Sequence, residues 1–259
     1  MSTRKTTLGH GFLVLAALAA IWGGLSLWPC PAAACPMLGT SLTGITIRIG
    51  DGQDAGEMTW LLQPSLTDGD RYGWSLSDPV AIMSGGRILA TITSLSVDID
   101  VDPRVELQFA LTAGPSAQRV TITSVVVPFS AIASPLAYAT AAVTVTDNDG
   151  DGATLTGVYP GTKAYRASYN AAPVDWAYLV DLVTVPPDFS GVGIQRQPAS
   201  GRLVIPATLT SIQSEFDFWL SANDQASGTS RFDVMVPEPA TLALLALGGM
   251  GVLAGRRRK

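Results

Sequence analysis

The stretch that most clearly predicts the fold is 87–102, which reads RILATITSLSVDIDVD. From position 95 onward, apolar and polar residues alternate strictly, and the apolar ones are Leu95, Val97, Ile99 and Val101. A period of two places one such set on a single face of a β-strand, because successive side chains point to opposite faces. The stretch therefore predicts a half-buried strand, with the apolar set turned toward a core.

Similar short runs, rich in Val, Ile, Thr, Leu and aromatic residues, recur through the middle of the chain between clusters of Gly, Pro, Asp, Asn and Ser. The other predicted strands are 42–49, 105–111, 119–127, 137–146, 154–158, 163–169, 177–185, 203–205, 208–220 and 231–236. No segment of this body shows a helical period over twelve residues. We therefore predict an all-β body, an antiparallel β-sandwich of jelly-roll type, forming one domain over 35–235.

The N-terminus has the layout of a secretion signal. Two basic residues precede an uncharged apolar run over 11–28, and three alanines at 32–34 provide small residues for cleavage before Cys35. We predict a helical signal peptide over 1–34 that signal peptidase removes. A retained membrane anchor is the alternative, and the alanines before Cys35 also leave open a lipidated N-terminus.

Charge separates the body from the two ends. The whole chain carries a formal net charge of −5, but the body over 35–235 holds 10 Lys or Arg residues against 20 Asp or Glu residues, a net charge of −10. Such a surface repels phosphates, so the body is predicted to have no nucleic-acid partner.

Histidine is almost missing from the chain. His10 is the only one, and it lies in the predicted signal peptide. A mature body without histidine excludes Ser-His-Asp and Cys-His catalysis and nearly all zinc, copper and non-haem iron sites. A pair of carboxylates would still suffice for glycoside hydrolysis. Because no sequence pattern selects such a pair, we predict no catalytic residues and a protein that is not an enzyme.

The last 24 residues, 236–259, form a separate module. Near its start is the triplet Pro237, Glu238 and Pro239, and at its end is the basic cluster Arg256, Arg257, Arg258 and Lys259. The uncharged apolar run between them, 240–255, would span about 24 Å as a helix. This is short for a bilayer core of about 30 Å, so we predict a short transmembrane helix suited to a temporary anchor. An ordinary single-pass anchor is the alternative.

This order of triplet, apolar run and basic cluster resembles the PEP-CTERM sorting domain. The resemblance implies processing by an exosortase, a membrane-bound cysteine peptidase that would read the triplet, while the arginines act as the retention element. It also implies an organism that makes extracellular polysaccharide. The expected protein is therefore exported, transiently membrane-anchored, and structural at the cell surface or in the extracellular matrix, with extracellular polysaccharide as a candidate partner.

One acidic segment has the start of a calcium loop. The segment 147–152 reads DNDGDG, and Asp147, Asp149 and Asp151 place oxygens at alternate positions before a glycine bend. The twelfth position of a full loop is Val158, where a glutamate would be needed. The alternative is a β-turn, which the same residue types favour. A calcium ion is thus the candidate cofactor, and otherwise none is expected.

Three further aspartates, Asp98, Asp100 and Asp102, share one face of the predicted strand 87–102. They are interpreted as the solvated side of that strand, where they would also block edge-to-edge aggregation. Calcium binding is the alternative.

Exposed aromatic rings are the candidate contacts for sugars. Alternation along the segment FDFW at 216–219 turns Phe216 and Phe218 inward, and so turns Trp219 outward with Asp217. Trp219 is therefore the predicted ligand-binding residue of a carbohydrate- or calcium-dependent adhesion module, the alternative to a structural protein. The other aromatic candidates are Trp60, Tyr72, Trp74 and Trp176, for which core packing is the ordinary interpretation.

Overall fold

A computed structural model of the chain describes residues 42–62, 65–68, 71–100 and 102–235. These residues belong to one of the two compact units of the chain, 34–259; the other unit, 1–33, is not described. The predicted signal peptide, Cys35, Val101 and the predicted sorting signal over 236–259 therefore lie outside the described residues, and so do both predicted helices. Among the described residues, no helix has the length and apolar character needed to cross a membrane.

The described residues form 18 β-strands, and in strands such as β7 and β10 buried residues alternate with less buried ones. The strands are β1 Leu42–Gly50, β2 Ala55–Leu62, β3 Ser65–Asp68, β4 Arg71–Ser75, β5 Val80–Ser84, β6 Arg87–Asp100, β7 Arg104–Ala113, β8 Gln118–Thr123, β9 Val127–Ala133, β10 Leu136–Thr146, β11 Ala153–Gly157, β12 Tyr165–Tyr169, β13 Val174–Leu179, β14 Val183–Val185, β15 Ser190–Gln197, β16 Leu203–Val204, β17 Thr208–Leu220 and β18 Gln225–Met235.

The strands make two antiparallel sheets. The first sheet has the order β13-β12-β17-β8-β1-β2, with β9 and β11 also paired to β17 and with β14 paired to β11. The second sheet has the order β15-β10-β18-β7-β6-β4-β3, with β16 paired to β10 and β5 paired to β6. The predicted all-β class and its antiparallel sheets are confirmed.

The core lies between the two sheets. In β7 the alternate residues Val105, Leu107, Phe109 and Leu111 are buried, as their spacing predicts. The Phe109 ring, on the second sheet, lies 5.0 Å from the Phe216 ring and 5.8 Å from the Phe218 ring, both on the first sheet, measured between ring centroids. Aromatic pairs of this geometry join the inner faces of the two sheets into one β-sandwich core.

Several strand pairs are nested in the sequence, so that both strands of one pair lie between the two strands of the preceding pair. β7 pairs with β18, β8 with β17, β10 with β15, β11 with β14, and β12 with β13. A long two-stranded ribbon folded over on itself would produce this order. The connections consequently cross between the sheets, and β8 and β17, which are 90 residues apart at their starts, become neighbours in the first sheet.

Two predicted strands are divided in the structure. The prediction of one strand over 119–127 is wrong: β8 ends at Thr123, and Ser124 then uses its Oγ to accept the N–H of Ser214 at 3.0 Å. The single strand predicted over 177–185 is also wrong, because Val180 has a φ of 67°, a left-handed conformation that ends β13.

The interpretation of Asp98 as edge protection is wrong as well. β6 has β4 on one side and β7 on the other at this position, so it is not an edge strand there. Asp98 instead accepts a hydrogen bond from Arg71 at 3.0 Å, and Asp100 lies 3.1 Å from Arg104. Asp102 is exposed in the turn that follows.

Candidate functional site

The outer face of the first sheet carries the polar and aromatic residues of β17. Phe216 and Phe218 are fully buried, whereas Trp219 is 37% exposed, so the ring faces outward as alternation predicts. Asp217 is on the same outer face but is only 6% exposed, because the Arg119 side chain pairs with it. The outward face of β17 is therefore a partly covered site rather than an open surface.

The strand register sets the neighbours of Trp219. Arg119 on β8 lies directly opposite Trp219, and Thr121 lies opposite Asp217. Arg48 on β1 is in turn opposite Thr121. Residues from three strands that are distant in sequence thus form two adjacent rows on one face.

These residues surround a groove, named here the Trp219 groove, with a volume of about 530 Å³. The side chains that shape it are Arg48, Gln53, Asp54, Arg119, Asp217 and Trp219. Gly50 and Gly52 also line it, and without side chains they leave space where β1 turns toward β2. The volume falls within the range of sites that bind small molecules.

Two hydrogen bonds fix the Arg119–Asp217 pair beside the tryptophan. Arg119 Nε donates to Asp217 Oδ1 at 2.9 Å, and Arg119 Nη2 donates to Asp217 Oδ2 at 2.7 Å. These hydrogen bonds raise the pKa of the Arg119 guanidinium. Thr121 Oγ1 donates a weaker bond to the same carboxylate at 3.3 Å. Such a two-point pair holds both side chains in one orientation at the edge of the groove.

Farther along β17, Glu215 is held in a second network. Its Oε1 accepts from Arg166 Nη2 at 2.9 Å and from the Tyr159 hydroxyl, and its Oε2 accepts from Thr123 Oγ1 at 2.9 Å. Burial and the nearby charge of Glu215 raise the pKa of the Tyr159 hydroxyl, which therefore stays protonated as a donor. Both outer-face carboxylates of β17 are thus occupied as hydrogen-bond acceptors.

The three aspartates of the predicted calcium loop come together in the structure. One carboxylate oxygen from each of Asp147, Asp149 and Asp151 lies within 4.8 Å of the others, with Asp147 buried and the other two exposed. The backbone N–H groups of Asp188, at 2.5 Å, and Gly150, at 3.1 Å, donate to Asp147 and lower its pKa. The hydrogen bond and negative charge of Asp149 raise the pKa of Asp151, because they favour its protonated form.

A fourth carboxylate, Asp224, lies beside this aspartate cluster and is fully buried. Burial raises its pKa, and it accepts hydrogen bonds from the N–H of Asn148 at 3.2 Å and from the Ser221 hydroxyl. Within the described part of the chain, none of the four carboxylates forms an ion pair with Lys or Arg. The segment also makes a sharp bend at Gly150 and Gly152, which have φ values of 83° and 96°, so the turn and the oxygen cluster occur together.

The other aromatic candidates serve packing. Trp60 and Trp74 are half-buried and lie 5.9 Å apart between ring centroids, and Trp176 stacks on Phe232 at 5.3 Å. Tyr72 also packs against the core. Among the aromatic candidates named from the sequence, Trp219 alone lines the groove.

Arg48 and Arg119 were not predicted as site residues. Each occupies a polar position between buried residues of its strand, as Arg48 does between Ile47 and Ile49, and this pattern marks it as outward-facing. The pattern carries no information on which strands are neighbours. The groove therefore depends on pairings that the sequence does not reveal.

No curated protein sequence matches this chain. Among solved structures, the chain is similar to a structure of the Gx strain of infectious bursal disease virus, with 9% identity, a TM-score of 0.29, and coverage of 78% of this chain and 60% of that one. It is also similar to the VP2 subviral particle of infectious bursal disease virus, with 11% identity, a TM-score of 0.20, and coverage of 85% and 75%. Similarity at these TM-scores carries no inference about function.

The tail matches a known family. Residues 236–259 match the PEP-CTERM protein-sorting motif, as the triplet, apolar run and basic cluster predict. The motif implies export, processing by an exosortase-type enzyme and sorting to the cell envelope. The C-terminal tail of this protein is therefore a PEP-CTERM protein-sorting motif.

Proposed function

We propose that the chain is a non-enzymatic protein of the cell surface or extracellular matrix, with a jelly-roll-like body that the tail anchors in the membrane until it is processed. The observation that carries this proposal is the sorting motif at 236–259. A short apolar run before a basic cluster suits a temporary anchor, because it would not fill the full thickness of a bilayer.

The contacts of the two outward-facing carboxylates of β17 support a body without glycosidase activity. A glycosidase needs one carboxyl group that can donate a proton and a second that can act as base or nucleophile. Asp217 is bound at both oxygens by Arg119, and Glu215 is bound by Arg166 and Thr123. Both carboxylates are thus held as hydrogen-bond acceptors by neighbouring side chains of the protein.

Replacing Pro237, Glu238 and Pro239 with alanines tests the sorting proposal. The variant should remain uncut in the membrane, and the intact mass of the protein recovered from the host should include the tail. As a control, Pro115→Ala changes an exposed proline in the body and should leave the mature mass as in the wild type. An unchanged mature mass after the triple replacement would show that the triplet is not recognised.

The Trp219 groove supports a second candidate, a carbohydrate-binding adhesion module. A half-exposed indole offers an apolar ring face, and Arg48, Gln53 and Arg119 offer hydrogen-bond donors around it. This combination suits a sugar, which has apolar C–H faces and polar hydroxyl edges. Binding at this groove would let the exported body attach to extracellular polysaccharide.

Binding of the exported protein to a panel of polysaccharides tests this candidate. Affinity electrophoresis should show retardation by at least one polymer, and Trp219→Ala should reduce it about tenfold, the loss expected for a central aromatic contact. Phe189→Ala is the matched control, since that ring is 62% exposed outside the groove and should be dispensable. If no polymer retards the wild-type protein, the carbohydrate-binding candidate is wrong.

The aspartate cluster of Asp147, Asp149 and Asp151 supports a calcium-dependent version of the adhesion module. Hard cations with six to eight oxygen ligands favour groups of carboxylates such as Asp147, Asp149 and Asp151. Repeating the polysaccharide panel with calcium and with a chelator separates calcium-dependent adhesion from binding by the groove alone. A melting temperature that does not rise with calcium would argue against the metal.

A further inference from the structure

One arginine of the Trp219 groove has no acidic partner among the residues that the structure describes. Of the ten Lys and Arg residues in the described ranges, eight lie within 4.0 Å of a carboxylate oxygen. The two without such a partner there are Arg48 and Arg196. Arg196 stacks on the Tyr138 ring, with its guanidinium carbon 4.7 Å from the ring centroid. Arg48 is exposed and lines the groove.

An exposed arginine without a nearby carboxylate is unusual in a body of this composition. Acidic residues outnumber basic ones by 20 to 10 over 35–235, so most cations have a carboxylate nearby. The nearest acidic side chain by register is Glu57 on β2, opposite Arg48, and the two form no ion pair. An exposed guanidinium without an acidic partner, at the wall of a groove, is available to a ligand.

The other charged groups of the groove are already occupied. Arg119 holds both oxygens of Asp217, at 2.9 and 2.7 Å. Asp54 lies 3.5 Å from Arg87, which also contacts Asp51 at 3.4 Å. A ligand in the groove therefore meets one uncommitted charge, and that charge is positive.

We propose that the ligand of the Trp219 groove is an acidic saccharide. The carboxylate of the saccharide pairs with Arg48 while a sugar ring lies against Trp219, and this proposal rests on the carbohydrate-binding function proposed above. The planar guanidinium matches a carboxylate through two parallel N–H donors. Arg48 and Trp219 stand on different strands, β1 and β17, with β8 between them. The two contacts therefore fix both the position and the direction of a sugar that bridges them.

Three polymers separate the possible ligands for the exported protein: polygalacturonate as the carboxylated probe, dextran sulfate as the sulfated probe, and dextran as the neutral probe. We expect the wild-type protein to bind polygalacturonate most tightly, with an affinity that falls as salt increases. Arg48→Gln should weaken this binding about tenfold, because a charge-assisted contact is lost. The same variant should weaken any binding to dextran much less, because dextran has no carboxylate to pair with Arg48.

Arg196→Gln is the matched control, because it removes the second arginine that has no acidic partner within the described ranges, and this arginine lies on the second sheet. It should bind polygalacturonate as the wild type does. Equal loss in both variants would mean that removal of any positive charge weakens the binding, wherever the charge lies, and would overturn the inference. Binding to dextran sulfate as tight as to polygalacturonate would overturn the carboxylate assignment.

The experiment also distinguishes failure of the inference from failure of the carbohydrate-binding candidate. If neutral glycans bind in a Trp219-dependent manner and polygalacturonate binds no better, the groove is a sugar site but the acidic ligand is wrong. If no polymer of any charge binds, both proposals are wrong.

Discussion

The carboxylates of Asp147, Asp149, Asp151 and Asp224 lie close together, and their mutual repulsion disfavours ionisation of Asp151 in the folded protein. The hydrogen bond and charge of Asp149 raise the pKa of Asp151, with smaller contributions from Asp224 and Asp147. A carboxyl group whose pKa is higher in the folded than in the unfolded state stabilises the fold when protonated and loses that contribution as pH rises. At neutral pH the ionised Asp151 therefore disfavours the folded state unless a cation binds.

We expect Asp151→Asn to raise the melting temperature at pH 7 without calcium, since it removes one of the repelling charges. At pH 3, below the ordinary pKa of 3.8, the difference from wild type should shrink, because Asp151 is then protonated. The variant should also lose any calcium-dependent rise in melting temperature. Differential scanning fluorimetry at both pH values, with calcium or chelator, measures these effects.

Asp78→Asn is the control for this prediction, because Asp78 is also exposed and its recorded contact is with Ser77. It should change the melting temperature little at either pH. A lower melting temperature for Asp151→Asn in chelator would contradict the account of repulsion.

The sequence predicts the orientation of Trp219 in the site but not the positions of the residues around it. Alternation around Phe216 and Phe218 predicts that Trp219 faces outward, because orientation along a strand is a local property. The neighbours of Trp219 are a long-range property: Arg48 lies two strands away, on β1. The sequence therefore indicates the aromatic contact but not the arginines beside it.

Among the strands, β15 reverses the usual pattern. Its apolar residues Val192 and Ile194 are 66% and 70% exposed, while Gly191 and Gly193, which alternate with them, face inward. The reason lies in β14, because a Cβ on Gly193 would lie 2.8 Å from a methyl carbon of Val183. A pattern that treats Val and Ile as inward-facing does not detect this strand, and β15 was not among the predicted strands.

The same strand is an aggregation-prone edge. In the described part of the chain, β15 pairs with β10 alone, so one side of it is open to another strand. We expect Ile194→Lys to raise the temperature at which the heated protein begins to scatter light, because a lysine on an edge strand disfavours strand-to-strand association. Its free energy of unfolding should change by less than about 0.5 kcal/mol, since the side chain is exposed.

Thr229→Lys is the control for this edge prediction. Thr229 is exposed on the same outer face, but on β18, which has neighbours on both sides. It should not change the onset of scattering. If Ile194→Lys also leaves the onset unchanged, aggregation does not proceed through β15.

At the scale of the whole molecule, one core links the two sheets. Phe109 is 3% exposed and contacts Phe216 and Phe218 across the core. We expect Phe109→Ala to lower the free energy of unfolding by about 4 kcal/mol, as for other buried phenylalanines. Because the sheets share this core, urea unfolding followed by tryptophan fluorescence and by far-UV circular dichroism should give coincident transitions.

Phe189→Ala is the control, since this ring is 62% exposed and its loss should change the free energy of unfolding by less than about 0.5 kcal/mol. Separate transitions for the two probes in the wild-type protein would mean that the sheets unfold independently.

The fold class was predictable because period-two alternation is strong in strands such as β7, where Val105 and Leu107 are buried on either side of Glu106. Strands with weaker alternation were missed, as in β2, whose sequence AGEMTWLL mixes small, charged and large residues. The arrangement of the strands was predicted only as an antiparallel sandwich of jelly-roll type, without the order of the individual strands. Pairing between β8 and β17 joins segments far apart in sequence, and local patterns do not specify such contacts.

β18 also determines how the body would respond to a mechanical load. It is hydrogen-bonded over nearly its full length to β10 on one side and to β7 on the other, and it ends at Met235, directly before the sorting motif. A force transmitted through the tail would act along β18 and load both ladders in shear. Many hydrogen bonds would then have to break together instead of one after another. The strand that leads to the envelope-sorting segment is thus placed to withstand pulling.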